Sequence, residues 1–154
     1  FHSTREYSDL IQSFINESSL SNCEIVSDDK IKNHILHKSV FAVAKSGTVS
    51  LEISNAKIPS IILYKMGFIN FMIVKSLVKT KYANIINFAA NEEIIPELLQ
   101  SNCNSKNIFK YVDSFLDNPN KIKEQVEKVQ IVLNKLKTEK SSSELASLSL
   151  NKFL

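Results

Sequence analysis

The residues best suited to chemistry lie between Val40 and Glu52, in V-F-A-V-A-K-S-G-T-V-S-L-E. Ser46-Gly47-Thr48 joins an apolar, β-branched and aromatic run (Val40, Phe41, Val43) to a helical pattern, and Glu52 falls about one turn into that helix. α/β proteins hold phosphates with such strand–turn–helix units: orphan N–H groups and the positive end of the helix dipole point at whatever lies above the loop. The chain has 2 glycines, and one stands at this turn, where it allows left-handed backbone and close approach of a ligand. Ser46 and Thr48 are suitable N-cap residues. S-G-T therefore also reads as an ordinary capped helix. That alternative leaves Glu52 unexplained, because a capping box needs Glu three residues after the cap, and Val49 and Leu51 stand there instead. A carboxylate one turn below an anion-binding loop is placed to accept both hydroxyls of a ribose. On spacing alone both readings stay open.

Other reactive side chains are less organised. His34 and His37 lie three apart on one helical segment without a third ligand at metal-site spacing, so they read as surface histidines. Ser46 lacks the G-x-S-x-G context and triad partners of a nucleophile. Glu92 and Glu93 adjoin and face different ways on a helix, which does not suit a paired acid–base site. Lys75, Lys79 and Lys81 read as a solvated face that could meet lipid headgroups. Cys23 and Cys103 lie far apart with no CxxC partner, which favours a reduced, intracellular chain without zinc. A net charge of +3 suits a phosphate-bearing ligand or an anionic membrane surface and is too diffuse for nucleic acid.

The elements that would position these residues alternate between strand and helix. At 154 residues one domain is expected. Phe1–Thr4 reads as the end of a strand, and a start at Phe1 without Met suggests a fragment. A helix follows from about Tyr7 to Glu17 (Leu10, Ile11, Phe14, Ile15), then a strand Cys23–Val26, a Ser27-Asp28-Asp29 cap, and a helix Lys30–Lys38. Val40–Ala44 is the next strand, the helix after S-G-T runs to about Ala56, and Pro59 opens a strand Ser60–Tyr64. Ser60–Val78 is long and apolar enough to raise a membrane span, but Lys65, Gly67 and Asn70 argue instead for a strand, a break and a helix from about Ile69. That helix is apolar nearly all round and so either deeply buried, the favoured reading, or partly given to another domain or a lipid surface. Tyr82–Phe88 reads as a strand or extended loop, and Glu92–Gln100 as a short helix with Pro96 in its first turn. Asn104 or Ser105 caps a helix bearing Ile108, Tyr111, Val112, Phe115 and Leu116. Lys121–Lys137 is the most regular helix, with Glu124–Lys128 as an i,i+4 pair; Ser141–Ser143 reads as a linker and Glu144–Leu154 as a last amphipathic helix. Strands separated by helices of this length predict βαβ units: an α/β, Rossmann-like parallel sheet, doubly wound and lacking its beginning, spanning 1–120, with amphipathic helices in 121–154.

Four stretches taken together carry a resemblance: A-K-S-G-T-V-S-L-E (44–52), Y-K-M (64–66), K-S-L-V-K-T-K-Y (75–82) and N-F-A-A-N-E-E-I-I-P-E-L-L-Q (87–100). In this order they resemble the lipid-A-disaccharide synthase family, ungapped from about Val43 to Gln100. The resemblance implies a GT-B-type glycosyltransferase with two Rossmann-like domains, of which this chain would be the C-terminal, donor-binding part. It implies condensation of UDP-2,3-diacylglucosamine with 2,3-diacylglucosamine-1-phosphate to lipid A disaccharide-1-phosphate and UDP, with inversion at the donor carbon. No metal or cofactor comes with it.

By the same resemblance, Ser46, Gly47 and Thr48 match a diphosphate loop and Glu52 a ribose-binding carboxylate. Lys65 stands where arginine is frequent, Asn87 matches an asparagine at the cleft, Glu93 and Gln100 match polar positions after it, and Val26–Asp28 would sit near the uracil. Glu92 replaces a usual arginine, which sets a carboxylate where a donor phosphate would be repelled, and Ile86 replaces a usual proline. The acceptor domain with its acid–base residue and an L-P-G-S-R-type strand–loop have no counterpart here, so the resemblance implies a fragment inactive alone, with no catalytic residue of its own. Expected partners are the two acylated sugars, the missing domain, the cytoplasmic surface of the bacterial inner membrane and a possible second copy bound through the C-terminal helices. The alternatives are a related UDP-GlcNAc transferase of cell-wall synthesis and a non-catalytic association module.

Overall fold

The computed structural model describes residues 1–77 and 80–137, with Ser143 and Ser147 beyond them. Val78, Lys79, most of the expected 141–143 linker and the expected helix of residues 144–154 lie outside the described residues, apart from Ser143 and Ser147, which are helical. The chain divides into two compact units, Phe1–Val40 and Phe41–Leu154.

In the first unit the expected strand end at Phe1–Thr4 is real but minimal. His2 forms a single parallel bridge to Val26, flanked by Ser3 N–H to Val26 O at 3.1 Å and Val26 N–H to Phe1 O at 2.8 Å. The strand expected over Cys23–Val26 shrinks to that bridge. Helix α1 (Ser8–Glu17) buries Ile15 while Leu10 and Phe14 stay more than half exposed. Helix α2 (Asp29–Lys38) starts at the expected acidic cap: Asp28 Oδ1 accepts the N–H groups of Lys30 and Ile31 at 2.8 and 3.1 Å.

The second unit is built on three parallel strands, β1 (Ala42–Lys45), β2 (Ser60–Tyr64) and β3 (Glu97–Leu99), in the order β1-β2-β3. Ala42 lies opposite Ser60 and Lys45 opposite Leu63; Ile62 lies opposite Glu97 and Tyr64 opposite Leu99. As the central strand of a parallel sheet, β2 must be covered on both faces. Its run of isoleucines meets that need, and Ile61 and Ile62 are fully buried. Ile62 faces a core of Ile86, Ile95, Val129, Val132 and Leu133, with Ala44, Leu51 and Ala90 packed around it. Helices α3 (Thr48–Asn55), α5 (Ile85–Ala90) and α7 (Pro119–Leu136) therefore share one face of the sheet. Helix α6 (Ser105–Leu116), capped by Asn104 as the sequence suggests, brings Phe115 against Phe41 with ring centroids 5.4 Å apart.

Three local expectations are corrected. Of Tyr82–Phe88 only the part up to Asn84 is loop, because Asn84 Oδ1 accepts Ile86 N–H at 2.8 Å and starts α5 there; left-handed Asn91 then ends that helix. Glu92–Gln100 is not a helix. The Asn87 side chain takes the N–H groups of Ile94 and Ile95, Pro96 has none to give, and Pro96 O accepts from Ile62 N–H at 2.9 Å, which draws the segment into β3. The helix from Ile69 is α4 (Phe68–Leu77), and of its two expected settings the favoured one, deep burial, is not found: Phe68, Ile69 and Leu77 are about three-quarters exposed. No helix among the described residues is long and apolar enough to cross a membrane.

Candidate phosphate-binding loop and its supports

Parallel α/β sheets bind ligands beyond the carboxyl ends of their strands. Here that edge carries Ser46-Gly47 after β1, Lys65-Met66 after β2 and Gln100 after β3. Gly47 sits at φ 153°, ψ −165°, a region open essentially to glycine alone. A Cβ there would meet nothing within 4 Å. The glycine is thus required by the backbone and not by crowding, and its exposed main chain is open to a ligand.

Gly47 is also the N-cap of α3, and no side chain caps that helix. The two hydroxyls expected to do so behave differently. Ser46 Oγ donates to Ala83 O at 2.7 Å, tying the loop to the start of α5, while Thr48 is exposed. Ser50 Oγ donates back to Gly47 O at 2.7 Å and fixes the turn from below. The ordinary capped helix is therefore not what Ser46 and Thr48 build. A helix start without a side-chain acceptor, next to exposed glycine backbone, can receive an external anion. Glu52 is exposed on α3, about 6 Å along the axis from Thr48 at 1.5 Å per residue.

The remaining expected site residues fall into two groups. Lys65 is exposed directly after β2. Asn87, Glu93 and Gln100 instead bind the chain itself. Gln100, at φ 50°, clamps Met66: its Oε1 accepts Met66 N–H at 2.8 Å and its Nε2 donates to Met66 O at 3.1 Å. Asn87 is fully buried; its Oδ1 accepts from Ile94 and Ile95 N–H, both at 2.9 Å, and its Nδ2 donates to Ile95 O and Glu97 Oε1 at 2.6 and 2.8 Å. Glu93 Oε1 accepts Glu97 N–H at 3.1 Å. Val26–Asp28 lies in the first unit, with Asp28 engaged as the α2 cap.

Glu97 is the residue that sequence reasoning missed. Its carboxylate accepts from Ala83 N–H at 2.7 Å, Asn84 N–H at 3.0 Å and Asn87 Nδ2, so Ser46, Ala83, Glu97 and Asn87 form one continuous network under the loop. An acid directly after Pro96, at the start of a strand, was the available signal. Glu92, where the resemblance has arginine, is paired with Lys128 at 2.8 Å, and Lys128 also meets Glu124 at 3.2 Å. The hydrogen bond to Glu92, then that to Glu124, raises the Lys128 pKa above its ordinary 10.5. A hollow of about 150 Å³ beside this cluster, lined by Glu93, Phe115, Lys121, Gln125 and Lys128, does not include the S-G-T loop. Among the described residues no three His, Cys, Asp or Glu side chains gather as a metal site would require.

The model of the lipid-A-disaccharide synthetase family matches residues 2–150. Among curated proteins, the chain is similar to the lipid-A-disaccharide synthase of Rickettsia prowazekii (strain Madrid E), 38% identical over 122 residues, covering 79% of this chain and 32% of that one. The enzyme of the same name from Rickettsia felis is 39% identical over 119 residues, covering 77% and 30%, and that from Rickettsia typhi 37% over 128 residues, covering 82% and 33%. The chain spans about a third of the length of these curated relatives. With a matching parallel-sheet fold and a family model that covers nearly all of its residues, this chain belongs to the lipid-A-disaccharide synthetase family.

Proposed function

We propose that this chain is the UDP-sugar-binding part of a glycosyltransferase of lipid A biosynthesis, one that joins UDP-2,3-diacylglucosamine to 2,3-diacylglucosamine-1-phosphate and releases UDP. The observation that carries the reading is the glycine-bent loop at the carboxyl end of β1: an α3 start with no side-chain cap, beside exposed Gly47 backbone. In the reaction an acceptor hydroxyl oxygen bonds to the donor anomeric carbon as the bond from that carbon to the diphosphate oxygen breaks. The hydroxyl proton leaves to a base outside this chain, and the departing UDP takes the bonding electrons.

Backbone N–H groups at Gly47 and Thr48, with Lys65, would stabilise the charge that gathers on the diphosphate. Glu52 would accept the ribose hydroxyls. Asn87, Glu93 and Gln100 would act as positioning residues that hold the loops beneath the donor. None of these supplies the proton transfer, so the chain alone is expected to bind without turning over. The acylated substrates imply work at the cytoplasmic surface of the inner membrane.

The test is a UDP titration followed through backbone amide shifts. Gly47 and Thr48 should move first, and Glu52→Ala should weaken binding by ten- to a hundredfold, the loss of hydrogen bonds to a charged group worth about 1.5–3 kcal/mol. Unmoved Gly47 and Thr48 signals at millimolar UDP would defeat the proposal, as would disaccharide formation by this chain alone for the claim of inactivity.

A further inference from the structure

Helix α4 leaves the sheet at the carboxyl end of β2 and carries apolar residues on its outside. Phe68, Ile69 and Leu77 are 76, 74 and 74% exposed, and Met72 and Ile73 about half. At about 100° per residue, these five side chains share one half of the helix surface. The hydroxyl within that half, Ser76, donates to Ile73 O at 2.8 Å and is thus satisfied by the helix itself. Phe71, on the other side, is half-buried. A contiguous apolar face of this kind marks an interaction surface.

The charge around that face has one sign. From Ile53 to Asn91 the sequence holds no Asp or Glu, but it holds Lys57, Lys65, Lys75, Lys79 and Lys81, the last four between the end of β2 and the start of α5. Lys65 and Lys81 flank α4; both are exposed, and neither enters an ion pair among the described residues. A second copy seated here about a twofold axis would set lysine against lysine, whichever ends met, which opposes association. An anionic lipid leaflet fits both features: hydrocarbon for the apolar half, and phosphate for the lysines that border it. The 10 residues of α4 span about 15 Å, half of a hydrocarbon core of about 30 Å, so such a helix lies in the interface and does not cross it.

We propose that α4 docks on an anionic lipid leaflet, with its exposed apolar half in the acyl boundary and Lys65 and Lys81 at the phosphates. The helix start is well placed for this. Gln100 holds both backbone groups of Met66, two residues before α4, at 2.8 and 3.1 Å. Phe68 is thereby kept at the same edge of the sheet as Ser46 and Gly47, and a sugar nucleotide anchored by acyl chains reaches the loop without leaving the leaflet. That consequence rests on the donor-binding reading; the docking itself rests on exposure and charge.

The chain has no tryptophan, so Phe68→Trp supplies a single reporter. With vesicles of phosphatidylcholine and phosphatidylglycerol in equal parts, and no nucleotide, its emission should shift to the blue and be quenched by lipid brominated along the acyl chain. Phe109→Trp, at an aromatic position 70% exposed on α6, should show neither change. In co-sedimentation, Ile69→Gln combined with Leu77→Gln should lower partitioning by about tenfold or more and leave the thermal unfolding midpoint in place, since both side chains are exposed. Lys81→Gln should cost about fivefold on the anionic vesicles and nothing on pure phosphatidylcholine. A chain that docks without binding UDP would keep this inference and defeat the donor-binding one. Absence of partitioning to the anionic vesicles overturns the inference, as does equal partitioning to neutral ones or equal quenching of the α6 reporter. A dimer in sedimentation equilibrium that the Ile69 and Leu77 substitutions abolish would assign the face to a second copy and overturn it as well.

Discussion

Replacing Asn87 with alanine separates a residue that holds the site together from one that touches the ligand. The side chain is fully buried and makes four hydrogen bonds, between 2.6 and 2.9 Å, to Ile94, Ile95 and Glu97. In Asn87→Ala the N–H and C=O of Ile95, a residue 1% exposed, lose this partner. Each buried orphan costs about 1–3 kcal/mol; half-buried Ile94 can recover water. Two orphans and the space left behind give a loss of about 3–5 kcal/mol, a large share of a total stability of about 5–15 kcal/mol. At about 2–4 °C per kcal/mol for a chain of this size, the melting temperature should fall by about 10 °C. Thermal and urea unfolding, followed by circular dichroism, measure this directly.

Asn87→Asp refines the test. It keeps an acceptor toward the Ile94 and Ile95 N–H groups but sets a second carboxylate against Glu97. Burial and the like charge would hold its folded pKa above the unfolded value of about 3.9. The penalty should thus be absent below that unfolded value and grow as pH rises through the folded one, so the variant regains stability on acidification. Unfolding of Asn87→Ala within about 1 kcal/mol of the parent chain, coupled with lost UDP affinity, would refute the clamp and make Asn87 a ligand contact.

Gly47→Ala should cost about 1–3 kcal/mol from backbone strain alone, since nothing crowds the new methyl group; a neutral result in urea unfolding would mean the loop relaxes freely. Asn84→Ser keeps an acceptor for the α5 cap while removing a buried Nδ2 that has no partner, so it should be neutral or stabilising by up to about 1 kcal/mol, and a clear loss would show that the amide is used. The Lys128 Cε resonance should titrate above pH 10.5, with the midpoint falling in Glu92→Gln; the contribution of this lysine to folding is then complete below 10.5 and lost as pH climbs through the raised folded value. An unchanged midpoint in Glu92→Gln would remove Glu92 as the cause.

Elements with strong local signals were legible in the sequence. Pro59 and the isoleucine run define β2, Asn104 announces α6, and the regular pattern of Lys121–Lys137 announces α7. The turn between β1 and α3 was legible too, because one of two glycines marked it. What stayed hidden depends on side chains that reach across the chain. Gln100 grips Met66 from 34 residues away, and Gln125 holds both backbone groups of Ser60 from 65 away. Such clamps leave no periodicity. They also override local preference: without the Asn87 amide, the apolar pair Ile94-Ile95 could have continued the helix that its spacing suggested. For α4 the all-round apolar pattern allowed both burial and a face given to something outside the chain, and periodicity alone could not choose between them.

The same clamps bear on how the loop would recognise a diphosphate. Glu92 is paired with Lys128, and that lysine is shared with Glu124, so its charge is committed to two carboxylates and the trio, with one negative charge in excess, does not attract a diphosphate. Lys65 provides a single cation, without the fork of a guanidinium. In the proposed site the backbone would add to this: the uncapped start of α3, with an effective charge of about +0.5, and the main chain at Gly47. Backbone donors do not titrate and do not reorient on long side chains, so their usefulness depends on how rigidly the loop is held. Ser46 ties that loop to Ala83, Ala83 is held by Glu97, and Glu97 by Asn87. In the proposed site the buried asparagine and the exposed glycine would thus serve one end, the first by fixing the loop at a distance and the second by opening its backbone to an anion.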